Sequence, residues 1–289
     1  MKIRTAPESN YKSIWLESGK TMRFAIDPSK PITELQHPEF FDIKLTGHCA
    51  GKCPQCYMDS NITDVHYDNV VGKLRQLFNS IPKDQQVYQI AYGGGEPTSH
   101  PEFAEVLRVT KEEFDITPNY TTNGMFIDTP QWFEVVEATK KYAGGVAISC
   151  HPHLKSQWSV AANLFIANKI RLNFHNIISD KESIDAFLEI FKEWKDRVEY
   201  FVLLPYGNVG RAVPKEIDWD YFVKVFPKEN KEQIAFGANF YPYLLRGELD
   251  VKVSLYEPEI MSKFITLEGT GAMYKSSFSS EILKKDLFI

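Results

Sequence analysis

The chain is poor in cysteine. Only 4 occur among 289 residues, and none follows Cys150. That count excludes a disulfide-stapled scaffold, which needs a dense framework of paired thiols. Long apolar runs are missing too. The N-terminal stretch MKIRTAPESNYKSIW shows no signal-peptide pattern, and no span for a membrane is found. A cytoplasmic location is expected, where thiols stay reduced. No dense Lys/Arg run occurs and the net charge is −5, so the electrostatic footprint of a nucleic-acid binder is absent. Low-complexity segments are absent as well.

What is present is the balance of an ordinary globular protein, 43% apolar and 25% charged, with 20 Phe and 14 Tyr to fill a core. From residue 41 a rhythm sets in. Strand-like runs FDIKLT (41–46), VYQIAYG (87–93), ITPNYTT (116–122), GVAISC (145–150), IRLNFHNII (170–178) and EYFVLLP (199–205) alternate with stretches of helical period, the sixth being DWDYFVKVF (218–226). Six β/α units predict an α/β fold, a partial (β/α)6 TIM-like barrel with a parallel sheet. The domains expected are a β-rich N-terminal segment over 1–40, with turns at ESGK and DPSKP, the barrel over 41–230, and a small β-rich extension over 231–289. In that extension VKVSLY reads as a strand, and KFITLEGTGAMYKSSF as a hairpin around Glu268-Gly269-Thr270-Gly271.

Cys49, Cys53 and Cys56 lie within CAGKCPQCY, residues 49–57, straight after the first barrel strand. Clustered cysteines in a reducing compartment favour metal over disulfides. A closed zinc or iron–sulfur site wants four protein ligands. Either another group, such as His48 in a structural zinc knot, fills the fourth position, or the site stays open. The second strand ends in GGGEPT (93–98), the third in TTNG (121–124) and the fourth in SCHPH (149–153). Strand C-termini are where a β/α barrel gathers its chemistry. Glycines there let a ligand lie against bare backbone, and Glu96 adds a carboxylate.

CxxxCxxC, GGGEP and TNG, in that order after successive strands, resemble the motifs of radical S-adenosylmethionine (radical SAM) enzymes over about residues 41–210. The resemblance implies that the three thiolates hold three irons of one [4Fe–4S] cluster, and that S-adenosylmethionine (SAM) chelates the fourth. It implies that Glu96 and the Gly94–Gly95 backbone hold the SAM amino group, while Asn123 and Ser149 face its ribose and methionine. A reductant such as flavodoxin or ferredoxin would supply the electron that cleaves SAM to a 5′-deoxyadenosyl radical, which abstracts a substrate hydrogen. Where the family has an aromatic before the third cysteine, this chain has Gln55. Tyr57 follows instead, a cofactor-side candidate, and the CY ending is common among peptide-modifying members. The C-terminal hairpin resembles a SPASM or twitch element without its cysteines, Lys275 standing where one would be. One cluster is therefore expected, with the hairpin as a lid or substrate platform.

Strand parity extends the reading. In GVAISCHP, Ser149 and His151 alternate with Cys150, which is expected under the helices rather than in the lumen. In IRLNFHNII, Asn173 and His175 share the lumen face and are candidate cofactor or substrate contacts. His153 reads as a solvated loop residue. The glycines of LLPYGNVGRA (203–212) are candidates to approach the adenine. Three functions stay open: radical chemistry on a peptide or protein side chain, favoured by the CY ending and the hairpin; radical chemistry on a small nucleotide or sugar derivative, for which Lys44 and Arg171 are the candidate phosphate contacts; or an iron–sulfur or zinc-binding protein without catalysis.

Overall fold

The computed structural model describes residues 1–16, 21–251 and 261–288. The ESGK turn and, from residue 252, the VKVSLY segment lie outside the described residues. The chain opens with an antiparallel meander of β1 (Lys2–Ala6), β2 (Tyr11–Trp15) and β3 (Thr21–Ala25). Its inner face is seated by polar contacts. Arg4 donates to the Pro38 carbonyl at 2.8 Å, and Arg23 forms a two-pronged pair with buried Glu39, which Tyr11 also contacts. Lys2 reaches Asp115 at 3.0 Å.

Parallel strands then follow in chain order: β4 (Phe40–Thr46), β5 (Gln89–Gly94), β6 (Thr117–Thr122), β7 (Gly145–Ser149), β8 (Leu172–Ile178) and β9 (Tyr200–Pro205). Each leads into a helix, namely α1 (Val70–Asn79), α2 (Phe103–Glu112), α3 (Trp132–Tyr142), α4 (Lys155–Ala167), α5 (Lys181–Trp194) and α6 (Trp219–Val225). This is the partial (β/α)6 architecture that the alternation predicts. Helix starts follow their local chemistry. Asp180 caps α5 through the amide of Ser183, and Asp218 caps α6 through that of Tyr221.

Alternation along the strands sorts the residues. On β4, Phe41, Ile43 and Leu45 join the core beneath the helices, leaving Asp42 and Lys44 on the inner face. On β8, Leu172, Phe174 and Ile178 are buried while Asn173, His175 and Ile177 are half-buried on the inner face. Phe174 is the hub of an aromatic cluster, with ring centroids 5.5 Å from Trp158, 5.2 Å from Trp194 and 5.9 Å from Phe201.

The sheet continues past both ends of the six-strand set. On one side β10 (Ile234–Phe236) adds parallel to β9, followed in the chain by the short α7 (Tyr241–Leu244). On the other, β11 (Ser262–Thr266) adds parallel to β4, then β12 (Ala272–Tyr274) and β13 (Ile282–Lys285) add antiparallel. The hairpin around Glu268–Gly271 forms as expected, but its first strand lies within the main sheet beside β4. The continuous buried run over Lys263–Thr266 is what a strand covered on both faces requires.

Because Phe174 is 0% exposed at the centre of its cluster, Phe174→Ala is expected to cost about 3–5 kcal/mol. Phe133→Ala, at a site 61% exposed, should stay within about 0.5 kcal/mol of wild type. Urea unfolding of the two variants checks this; similar midpoints would contradict the packing described.

Candidate active site

The C-terminal ends of β4 to β7 bring the sequence-predicted groups to one mouth. The loop leaving β4 is pinned at its root. Thr46 Oγ1 accepts the His48 amide at 3.0 Å, and Asn61 O accepts the Cys49 amide at 2.9 Å. Cys49, Cys53 and Cys56 all carry free thiols. A methyl group at Gly51 would lie 3.3 Å from Cys49 Sγ, 3.6 Å from Cys53 Sγ and 3.1 Å from Asn123 Nδ2. Glycine thus keeps side-chain bulk away from these thiols. Burial, and next the Glu96 carboxylate, push the Cys49 thiol up to about 11. Burial, then Cys49 and Cys56, push Cys53 up to about 12. Thiolates so placed call for a nearby cation.

Glu96 is 5% exposed, and both oxygens of its carboxylate accept hydrogen bonds from protein, with capacity left on Oε2. Oε1 accepts from Thr98 Oγ1 at 2.6 Å, Thr122 Oγ1 at 2.8 Å and Thr98 N at 3.3 Å, while Oε2 accepts from Asn123 N at 2.8 Å. Burial raises its pKa against these bonds. Asn123, thus fixed, donates through Nδ2 to Cys49 Sγ at 3.5 Å.

The glycines of GGGE divide their labour. The Gly95 amide bonds Thr46 O and the Glu96 amide bonds His48 O, both at 2.8 Å. A Cβ at Gly95 would meet His48 O at 2.1 Å, and one at Gly94, where φ is +113°, would meet Thr46 O at 2.6 Å. These two are demanded by the protein's own packing, and the Gly95 amide is not free for a ligand. A Cβ at Gly93 would meet nothing within 4 Å. The open ground lies at Gly93, which the motif alone does not single out.

Further round the mouth, Ser149 on β7 is in register with His175 on β8, and Asn173 sits one layer below beside Ala147. Asn173 Oδ1 is buried without a partner. Burial lowers His175 to about 4, so its imidazole is neutral near pH 7. Cys150 packs in the core and donates to Ile148 O, with burial holding its thiol well above the ordinary value. His153 is exposed but not merely solvated, since Nε2 lies 2.9 Å from Gly51 O. Nδ1 of His151 lies 3.2 Å from Gln55 Nε2. Cys150, His151, Gln55 and Phe187 are among the residues around a cavity of about 490 Å³. The Tyr57 ring meets the C-terminal segment, 4.8 Å from that of Phe278.

Arg211 was not singled out by the sequence. Its Nε donates to Cys53 O at 3.0 Å and its amide to Cys56 O at 3.2 Å, while the guanidinium reaches Asn61 Oδ1 at 2.9 Å and Asp59 at 3.4 Å. Gly210, with φ +67°, lets the chain approach Cys56 O, where a Cβ would come within 2.5 Å. The glycine of this turn therefore meets the cysteine loop's backbone. The "R" of LLPYGNVGRA was the available signal.

The family model of the Radical SAM superfamily matches residues 43–209, more than half of the chain. The chain belongs to the radical SAM superfamily. Membership implies a [4Fe–4S] cluster and SAM. No curated protein matches the chain. Among solved structures, Streptococcus suis SuiB bound to precursor peptide SuiA aligns with a TM-score of 0.62 and 18% identity, covering 88% of this chain and 63% of SuiB. The anSMEcpe structure with bound AdoMet and Cp18Cys peptide gives 0.57 and 17%, covering 87% of this chain and 79% of that one. At these identities the likeness carries the fold. The chain spans about three fifths of the length of SuiB, at 61–63%.

The residues present fit the implied cluster. Among the described residues no group of three His, Cys, Asp or Glu is placed to hold a single metal ion. A cuboidal cluster differs, because each thiolate takes its own iron, and the Cys49 and Cys53 thiols beside Gly51 suit that. The Gly51 amide at 3.3 Å and Asn123 Nδ2 supply hydrogen bonds to Cys49 Sγ of the kind that tune cluster potential.

Two outcomes follow. Gly93→Ala should leave unfolding unchanged while weakening SAM binding, whereas Gly95→Ala should cost about 1–3 kcal/mol of stability through overpacking; calorimetry with and without SAM separates them. Arg211→Met should lose iron to a chelator roughly tenfold faster than wild type, the scale of outer-shell effects on metal sites; equal loss rates would remove Arg211 from the site.

Proposed function

We propose that Cys49, Cys53 and Cys56 hold a single [4Fe–4S] cluster, that SAM binds across Gly93–Glu96, Asn123 and Ser149, and that the substrate is a peptide or protein. When bound, the reduced cluster and SAM supply the one-electron cleavage that yields a hydrogen-abstracting 5′-deoxyadenosyl radical. The carrying observation is the junction at the mouth, where the carboxylate of Glu96 fixes Asn123 against Cys49 Sγ. This chain's residues bind and aim. Glu96 offers a buried anionic wall to an ammonium, the inner-face side chains of Asn173 and His175 lie deeper for cofactor or substrate, and Arg211 steadies the cysteine loop. An electron donor of the flavodoxin or ferredoxin class fits the reaction.

A single cluster is supported by the absence of any cysteine after Cys150. A peptide or protein substrate is supported by the peptide-bound states of SuiB and anSMEcpe and by the Tyr57–Phe278 contact, which brings the C-terminal segment to the mouth. The small-molecule reading drew on basic side chains in the lumen. Arg171 instead pairs with Glu199 at 2.9 Å, and Lys44 Nζ lies 5.8 Å from the Tyr67 ring centroid.

Anaerobically reconstituted protein with dithionite and SAM should release 5′-deoxyadenosine and contain about four irons per chain. Cys53→Ala should abolish the product. Equal product from both proteins would overturn the cluster assignment, and about eight irons per chain would overturn the single cluster.

A further inference from the structure

The lumen holds a carboxylate that neither the cysteines nor the SAM contacts use. Asp42 lies on the inner face of β4, between core residues Phe41 and Ile43. In register it faces Ala91 on β5 and Phe264 on β11, and Ala91 in turn faces Asn119 on β6. One layer toward the mouth, Lys44 stands opposite Gly93. Two small residues therefore line the β5 side of Asp42, and the upper one, Gly93, opens onto free space.

This carboxylate has no hydrogen bond or ion pair among the described residues. The cations around it are engaged elsewhere. Lys44 directs its ammonium over Tyr67, Arg23 pairs with Glu39, and Lys263, though on neighbouring β11, reaches Glu34 at 2.9 Å. Burial alone raises Asp42 to about 6, with no compensating partner. Asp42 is half-buried and mostly ionised near pH 7, and its charge meets no protein partner among the described residues. Along a strand, two residues span about 7 Å, so Asp42 sits about that far below the Gly93 layer. A long, thin side chain with a cationic tip suits that depth.

We propose that Asp42, with the recess beside Ala91 and Gly93, is a subsite for a positively charged group of the substrate, an ammonium or guanidinium on a flexible stem. The inference rests on the reading of the lumen as the substrate's site. It narrows the substrate to molecules carrying such a group within reach of the reacting carbon, and a lysyl or arginyl side chain of a peptide satisfies it.

The probe pair is Nα-acetyl-lysine N-methylamide and its neutral counterpart, Nα-acetyl-norleucine N-methylamide. Binding of each to anaerobically reconstituted, SAM-loaded protein is measured by titration calorimetry, for wild type, Asp42→Asn and Asp42→Glu. Wild type should bind the cationic probe about tenfold or more tightly than the neutral one. Asp42→Asn should lose that preference, and Asp42→Glu should keep part of it. Without probe, Asp42→Asn should melt at or above the wild-type temperature, because it removes an uncompensated charge. Equal binding of the two probes by wild type, or a preference that survives in Asp42→Asn, overturns the subsite. So does a lowered Tm or a failure to fold in Asp42→Asn, which would make the carboxylate structural. Measuring 5′-deoxyadenosine on the same wild-type protein keeps the two readings apart. Charge preference without SAM cleavage sinks the catalytic reading alone, and cleavage without charge preference sinks the subsite alone.

Discussion

The Glu96 carboxylate is the joint on which the mouth depends. It is buried, and its oxygens are divided between its own turn and the end of β6, where Thr122 and the Asn123 amide bond it. The same turn spends the amides of Gly95 and Glu96 on the carbonyls of Thr46 and His48. One short segment thus ties β4, β5 and β6 together above the last rung of the sheet. A buried carboxylate is tolerated because both of its oxygens accept hydrogen bonds. Asn123 inherits its position from this joint, and through Asn123 the sulfur of Cys49 does too. Preorganisation by a hydrogen-bonded network carries less entropic cost than ordering a loose loop when a ligand arrives.

Arg211 acts from the opposite side. A guanidinium can address several acceptors in one plane, and here it reaches Cys53 O, Asn61 Oδ1 and Asp59 together. Asn61 O in turn holds the Cys49 amide. The cysteine loop is therefore gripped between the end of β5 and the turn after β9, the first and last of the strands that bear on it. This explains how a loop without regular secondary structure keeps its thiols oriented. The positive charge also lies where it favours thiolate over thiol at Cys49 and Cys53, against the burial that disfavours it.

The barrel strands and their helices were legible because hydrophobic period is a local signal. FDIKLT and IRLNFHNII each carry the alternation that decides which side chains face the lumen, and Cys150 packs in the core as its parity requires. The cysteine triad, GGGE and TNG were legible as a set through their order. Two things were not. The partner of a strand is a long-range property, so nothing within SKFIT (262–266) says that it lies beside β4. The division of labour among Gly93, Gly94 and Gly95 depends on backbone that approaches from the β4 loop, and three identical residues in sequence cannot announce which of them leaves room.

The placement of β11 changes what the C-terminal hairpin can be. A flap hinged outside the barrel could swing on its linker. A strand bonded along β4 cannot, because moving it would break the ladder from Ser262–Phe40 to Thr266–Lys44 and expose Ile265, which is fully buried. The hairpin's turn is fixed further by Lys73 Nζ on Leu267 O at 2.7 Å and by the Tyr67 hydroxyl on Glu268. The hairpin is thus a wall of the lumen. That wall stands next to Asp42, with Phe264 as its cross-strand neighbour. The segment after β12 reaches the mouth separately, where the Phe278 ring meets that of Tyr57 at a tilt. An aromatic contact of that size is worth about 1 kcal/mol beyond its buried area, far less than the ladder that holds β11 in place.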